Sequence, residues 1–193
     1  MTKLTPKASG FTSIELLVVI GLVGILSGLS ITSFSQRWAQ ERLLRATKET
    51  QSWLEEQRKI AMKEGQACEI TINTTDAILD PTSTTLTLDD GSQLKNSCSN
   101  QAILSIRNTV TNGNGINLST ADPGVTSLRF SFRGLSEIIT SSTNEQDTKV
   151  LTLKLNHPES NKQRCIRIMS PLGLIRTGWS AATSNTCHYS DSF

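Results

Sequence analysis

The chain has 193 residues, a net charge of +2, 36% hydrophobic and 19% charged residues. That is a globular composition, which excludes a low-complexity or disordered chain, and the length suits one folded domain with an anchor. The averages conceal three dissimilar segments, taken here in chain order.

Residues 1–10 (MTKLTPKASG) are polar and carry Lys3 and Lys7. Residues 14–31 are apolar apart from Glu15 and a few small residues. About 18 such residues is close to the minimum for a helix that crosses a bilayer, and a helix satisfies its own backbone polar groups there. A secretory signal has its small-residue cleavage site after the apolar stretch. Here the small residue, Gly10, comes before it. Glu15 sits inside the apolar run, where an acidic group costs about 2.5–3.5 kcal/mol at mid-bilayer, so it needs a partner. Cleavage after Gly10 makes Phe11 the N-terminus, with a free amine one helical turn from Glu15 on the same side. Pairing of the two between subunits would set the register of a helical stack. Gly24 and Gly28 form a G-x-x-x-G, which permits close helix approach.

The string Lys7-Ala8-Ser9-Gly10-Phe11-Thr12-Ser13-Ile14-Glu15-Leu16-Leu17 resembles the class III leader of type IV pilins and type II secretion pseudopilins. The resemblance implies cleavage after Gly10 by a prepilin peptidase, N-methylation of Phe11 and a role for Glu15 in assembly. Lys3 and Lys7 before the apolar run are outnumbered by Arg37, Arg42, Arg45 and Lys48 after it, so the positive-inside rule does not orient the segment. The cysteines and the resemblance place the leader inside and the head outside. Many major pilins carry a proline in the second half of this segment. None occurs between Phe11 and Asp80, which favours a minor pilin or pseudopilin.

Residues 34–64 contain no Pro or Gly. Phe34, Trp38, Leu43, Ala46, Thr50, Trp53, Leu54, Ile60 and Ala61 recur at mostly helical spacing, which predicts an amphipathic helix ending at Gly65. Beyond Gly65 the pattern changes to strands, predicted over 67–73, 84–88, 102–106, 127–132, 150–156 and 164–170. Turn signals fall at Asp90-Gly91, 112–115 and Asp122-Pro123-Gly124. The expected fold is α+β: a long N-terminal helix, with a transmembrane half and an amphipathic half, packed on an antiparallel β-sheet or small β-sandwich head. The domains are a leader (1–10), a transmembrane or filament-core helix (11–33), an amphipathic helix half (34–64) and a β-rich head (65–193).

Cys68, Cys98, Cys165 and Cys187 all follow the apolar segment, without a C-x-x-C. Their even number and long spacings point to extracytoplasmic disulfides rather than a metal site. Of the three pairings, Cys68–Cys98 with Cys165–Cys187 is favoured because each closes a local loop. His157 and His188, the only histidines, lie in neither a triad nor a metal-ligand spacing, and no phosphate loop is present. No enzyme activity, metal or cofactor is expected. His157, ahead of Pro158, reads as a solvated loop residue.

The stretch 53–65 resembles the helix end of GspH/FimT-type minor pilins and pseudopilins, and 130–134 and 164–173 resemble that family's closing strands. Residues 149–193 hold six basic and two acidic groups, against four basic and nine acidic in 65–148. Lys162, Arg164, Arg167 and Arg176 are therefore candidate phosphate contacts. Some FimT-type pilins are associated with DNA uptake through a C-terminal G-R-x-R. Here Gly173-Leu174-Ile175-Arg176 has leucine at the first arginine.

The leading expectation is a minor pilin of a type IV pilus. A minor pseudopilin of a type II secretion system and a DNA-binding minor pilin are the alternatives. The implied partners are other pilin or pseudopilin subunits, prepilin peptidase, an inner-membrane assembly platform, membrane lipid before assembly and, least favoured, DNA. The implied location is the inner membrane as a single-pass protein with its head outside the cytoplasm, and then the pilus or pseudopilus.

Overall fold

Helix α1 spans Ser13–Glu64. Thr12 caps it, its hydroxyl accepting from the Glu15 amide, and Gly65 ends it in the left-handed region at φ 66°, where only glycine sits without strain. The computed structural model describes residues 12–83, 85–87, 93–106, 115–122, 124–140, 150–184 and 186–189, with the backbone alone at 26, 28–33, 85–87, 93 and 94.

The buried side of α1 is Ala39, Leu43, Ala46, Thr47, Thr50, Leu54, Gln57 and Ala61. Steps of three and four put these on one stripe. The two threonine hydroxyls on it donate back to the carbonyls of Leu43 (2.6 Å) and Ala46 (2.8 Å), so their burial leaves no hydroxyl unpaired.

Two antiparallel sheets cover that stripe. The first has the order β5-β2-β1-β7-β8, from β1 (Cys68–Asn73), β2 (Ile78–Asp80), β5 (Leu104–Ser105), β7 (Val125–Phe130) and β8 (Ser136–Thr140). Cys68 faces Phe130 and Ile70 faces Leu128 across β1 and β7, and all four are buried. The alternate positions pair Glu69 with Arg129 on the opposite face. There Arg129 reaches Glu69 at 3.1 Å and Glu137 at 3.2 Å, and Ser127 donates to Glu69 at 2.7 Å.

The second sheet has the order β12-β11-β10-β9-β6, from β6 (Asn117–Thr120), β9 (Val150–Asn156), β10 (Lys162–Met169), β11 (Leu174–Ala181) and β12 (His188–Tyr189). Leu151, Leu153, Ile166 and Ile168 pair across β9 and β10 and join the core with Leu43, Leu54 and Phe130. A separate ribbon pairs β3 (Thr85–Thr87) with β4 (Gln93–Lys95).

The sheets meet where the β10–β11 turn, with its cis Ser170–Pro171 bond, touches the start of β8. Ser136 N–H donates to Pro171 O (2.8 Å) and the Ser170 hydroxyl donates to Ser136 O (2.8 Å). Arg58 clamps the helix to this junction. Its guanidinium donates to the carbonyls of Gly134 (2.8 Å), Gly173 (3.0 Å) and Leu172 (3.3 Å). Both glycines have positive φ, 75° and 64°. A Cβ on Gly173 would lie 2.7 Å from the Gly134 carbonyl oxygen, so the close approach itself requires glycine there.

The expected architecture is corrected in three respects. Among the described residues no helix is long and apolar enough to cross a membrane. The transmembrane half expected of the long N-terminal helix, which does run unbroken over 52 residues, is therefore not supported, and the single-pass inner-membrane location conflicts with the same finding. Second, the head is two five-stranded sheets with a ribbon, rather than one sheet or a small sandwich. Third, Phe34 and Trp38 do not belong to the covered stripe: they are 60% and 57% exposed and pack on each other at 5.9 Å, because the sheets begin to cover α1 only at Ala39.

Predicted strands 67–73, 150–156 and 164–170 match β1, β9 and β10 closely, and 127–132 overlaps β7. Strands β2, β4, β6, β8, β11 and β12 were not expected. The Asp90-Gly91 turn and most of 112–115 lie outside the described residues, as does Pro123.

The Arg58 clamp is testable. Arg58→Ala should lower stability by about 2 kcal/mol, the order expected for losing hydrogen bonds from a charged donor. Arg58→Lys should recover little of it, because an ammonium cannot span three carbonyls as a planar fork does. Urea unfolding measures both, and an Arg58→Ala midpoint equal to the parent's would show that the clamp is dispensable.

Candidate functional site

The residues expected to carry function lie in three places. The first is the start of α1. Glu15 is in the first helical turn, where a carboxylate complements the exposed amide dipoles. Gly10 and Phe11 lie outside the described residues, and so does the expected Phe11–Glu15 pairing. The apolar side chains beyond Glu15 are open: Ile14 is 73% exposed, Leu17 71% and Ile25 67%. Gly21 and Gly24 have nothing within 4 Å of where a Cβ would stand. This is a contiguous apolar surface with no cover from the described part of the chain.

The second place is the pair of disulfides. Cys68–Cys98 and Cys165–Cys187 are both formed, with Cα separations of 5.2 Å and 6.3 Å. Cys68, Cys98 and Cys165 are fully buried. The first bond fastens the loop before β5 to the start of β1. Asn96 reinforces it, donating to Glu69 O and Pro81 O and accepting from Glu69 N. The second bond straps the C-terminal segment across the outer face of the second sheet.

The third place is the basic set Lys162, Arg164, Arg167 and Arg176. Strand alternation divides it. Arg167 faces Arg176 directly, whereas Arg164 faces Trp179, so Lys162 and Arg164 point to the face that carries Ile166 and Ile168, while Arg167 and Arg176 point to the opposite one. Lys162 Nζ lies 5.5 Å over the Trp179 ring, and Trp179 meets His188 at 5.4 Å. On the other face Arg167 stacks on Tyr189 at 3.9 Å, a cation–π contact. The Arg167 Nε is buried and has no partner among the described residues. The four candidates thus do not form one phosphate-binding surface.

His157 is a correction: it is 3% exposed, not a solvated loop residue. Its Nδ1 accepts from the Glu159 amide at 3.2 Å, and its carbonyl accepts from Ser160 N–H at 2.9 Å, so the turn folds over the ring. Arg58, Trp179 and Tyr189 were not singled out from the sequence. A lone arginine in a charged helix gives no signal of its carbonyl partners. Tyr189 could have been placed by its position two residues after Cys187. No family model, curated protein or solved structure matches the chain.

The strap depends on Gly178. Tyr189 lies opposite it in β12, and a Cβ there would lie 2.5 Å from His188 O and 2.8 Å from the Tyr189 ring. Gly178→Ala should displace 186–189 and expose Arg167, which limited proteolysis would report as faster C-terminal trimming. Replacing Cys165 and Cys187 together by Ser should cost about 3 kcal/mol, the order for a loop of this length. Unchanged trimming in Gly178→Ala would mean that β12 does not depend on this contact.

Proposed function

We propose that this chain is a structural subunit of a helical filament, a minor pilin of the type IV kind, which enters the filament after leader removal at Gly10. The observation that carries this reading is the apolar surface of α1 from Ile14 to Ile25, a run of large apolar side chains left open on one element. Exposing such a run to water is costly, at about 25 cal/mol per Å². Copies of the same helix, packed side by side, are the cover that a filament core supplies. Gly21 and Gly24, with open space around them, would let neighbouring helices approach closely.

In this reading the parts divide the work. The 34–64 half of α1 joins the core helix to the head, Arg58 fixes the angle between them, and the disulfides keep the head folded outside a reducing compartment. The Glu15 carboxylate, in an apolar core, is matched by the amine that cleavage creates on Phe11. The partners are other pilin subunits and the prepilin peptidase that removes the leader.

Two measurements test the proposal. Mass spectrometry of the mature chain should find an N-terminus at Phe11 carrying one added methyl group; an N-terminus near Ser35 would defeat the filament reading. Glu15→Ala should be cleaved normally yet enter filaments at least about tenfold less well, as losing a charge pair worth more than about 1.4 kcal/mol requires. Normal incorporation of that variant would remove the pairing.

A further inference from the structure

Beyond the Ile14–Ile25 run, two apolar clusters stay open to solvent, and they lie on different faces. The first surrounds the Arg58 junction. Segments 131–135 and 171–174 meet there, where Arg58 holds the Gly134 and Gly173 carbonyls, and Met62 Sδ lies 2.8 Å from where a Cβ on Gly134 would stand. Met62, Phe132, Leu135, Leu172 and Leu174 gather at this point, each 41–58% exposed. The second cluster is the stacked pair Phe34 and Trp38. Beside it runs a groove of about 390 Å³ lined by Ser35, Trp38, Ala39, Arg42 and Glu159. The Gln40 amide donates to Asn161 at 3.1 Å, which ties the β9–β10 turn, and Glu159 with it, to the helix at this level.

Trp38 and Met62 stand on one unbroken helix, about 36 Å apart along its axis and about a third of a turn apart around it. One chain therefore cannot bring its own two clusters together. Their rims are complementary. Arg133, 5.2 Å over the Phe132 ring, and the exposed Glu137 flank the first cluster, while Arg42 and Glu159 flank the second. Each rim carries one charge of each sign, so Arg133 can face Glu159 while Glu137 faces Arg42. At roughly 200 Å² for a large side chain, the clusters present roughly 400 Å² and roughly 250 Å² of apolar surface, short of the ~1,200 Å² at which stable interfaces begin. The contact thus needs further area from elsewhere on the same partner.

We infer that the cluster around Leu172 of one copy seats on the Phe34–Trp38 groove of a second copy, displaced by about 36 Å along parallel α1 helices. The two faces differ, so the contact is heterologous. After pairing, each copy still offers one unused face, and the axial displacement carries every added copy onward instead of closing a dimer or a ring. The inference rests on the filament reading, in which packed 14–25 runs supply the missing area, and it adds the axial step between two touching copies.

Photocrosslinking in cells that make the full chain tests it. Two differently tagged copies are expressed together, one of them with benzoylphenylalanine in place of Leu172, and sheared filaments are scored separately by electron microscopy. A product that carries both tags is expected, with the new bond mapped by mass spectrometry to residues 34–42 of the second copy. Trp38→Ser in that second copy should lower its yield by about tenfold or more, as loss of a Trp anchor does, and should leave the unfolding midpoint unchanged because Trp38 stands clear of the core. Filaments without the two-tag product would overturn this contact and leave the proposed function standing. The two-tag product without filaments would keep the contact and remove the filament reading, and absence of both would remove both. A bond to residues 14–25 of the second copy, a bond only to a different protein, or full yield with Trp38→Ser would each overturn the inference.

Discussion

The buried stripe of α1 is shared by two sheets, and the rest of the head follows from that sharing. Leu43, Ala46, Leu54 and Ala61 join the same core as Ile70, Leu128 and Phe130 from the first sheet and Leu151, Leu153, Ile166 and Ile168 from the second. Short strands such as β5, β6 and β12 bury too little by themselves to be stable. Around a common helix they become one cooperative core. The small residues Ala39, Ala46 and Ala61 on the stripe let the strands approach the helix backbone closely. Arg58 then fixes where along the helix the two sheets meet, since its three carbonyl partners come from both β-turn regions at the junction.

The same helix is also the source of the molecule's asymmetry. From Ala39 onward it is a covered element, while from Ile14 to Ile25 it is an uncovered one. Among the described residues the head holds two disulfides and an ion-pair network, and none of them covers that run.

Several of these features were legible in the residues because they are local. The two disulfides follow from loop closure between neighbouring cysteines. The helix end follows from Lys63 and Gly65, and β9 and β10 from alternation over seven or eight residues. Helical spacing alone could not show that Phe34 and Trp38 stand clear of the core, because the pattern says which face they share and not where the covering sheets stop. Strands of two to four residues, such as β2 and β6, offer too few alternations to register. Strand β11 is obscured by Gly178 and Arg176, and its place was decided by pairing with β10. The split of the basic residues was in principle readable from parity, since 162 and 164 are even and 167 is odd within one strand. His157 was misread because the hydrogen bonds that bury it come from backbone amides, which leave no trace in side-chain type. The apolar run suggested a membrane span by its full length, but the helix as described does not provide one.

The two disulfide loops are consecutive along the chain: Cys68 to Cys98 is closed before Cys165 begins the second. They neither nest nor cross. During synthesis from the N-terminus, Cys98 is therefore the first thiol available to Cys68, and Cys187 the first available to Cys165 once that earlier pair is joined. An oxidant that acts in the order of emergence reaches the correct pairing directly, with no thiol exchange. The head can thus mature in two successive steps, the one around β1 and the other around β10, and the C-terminal strap is closed last.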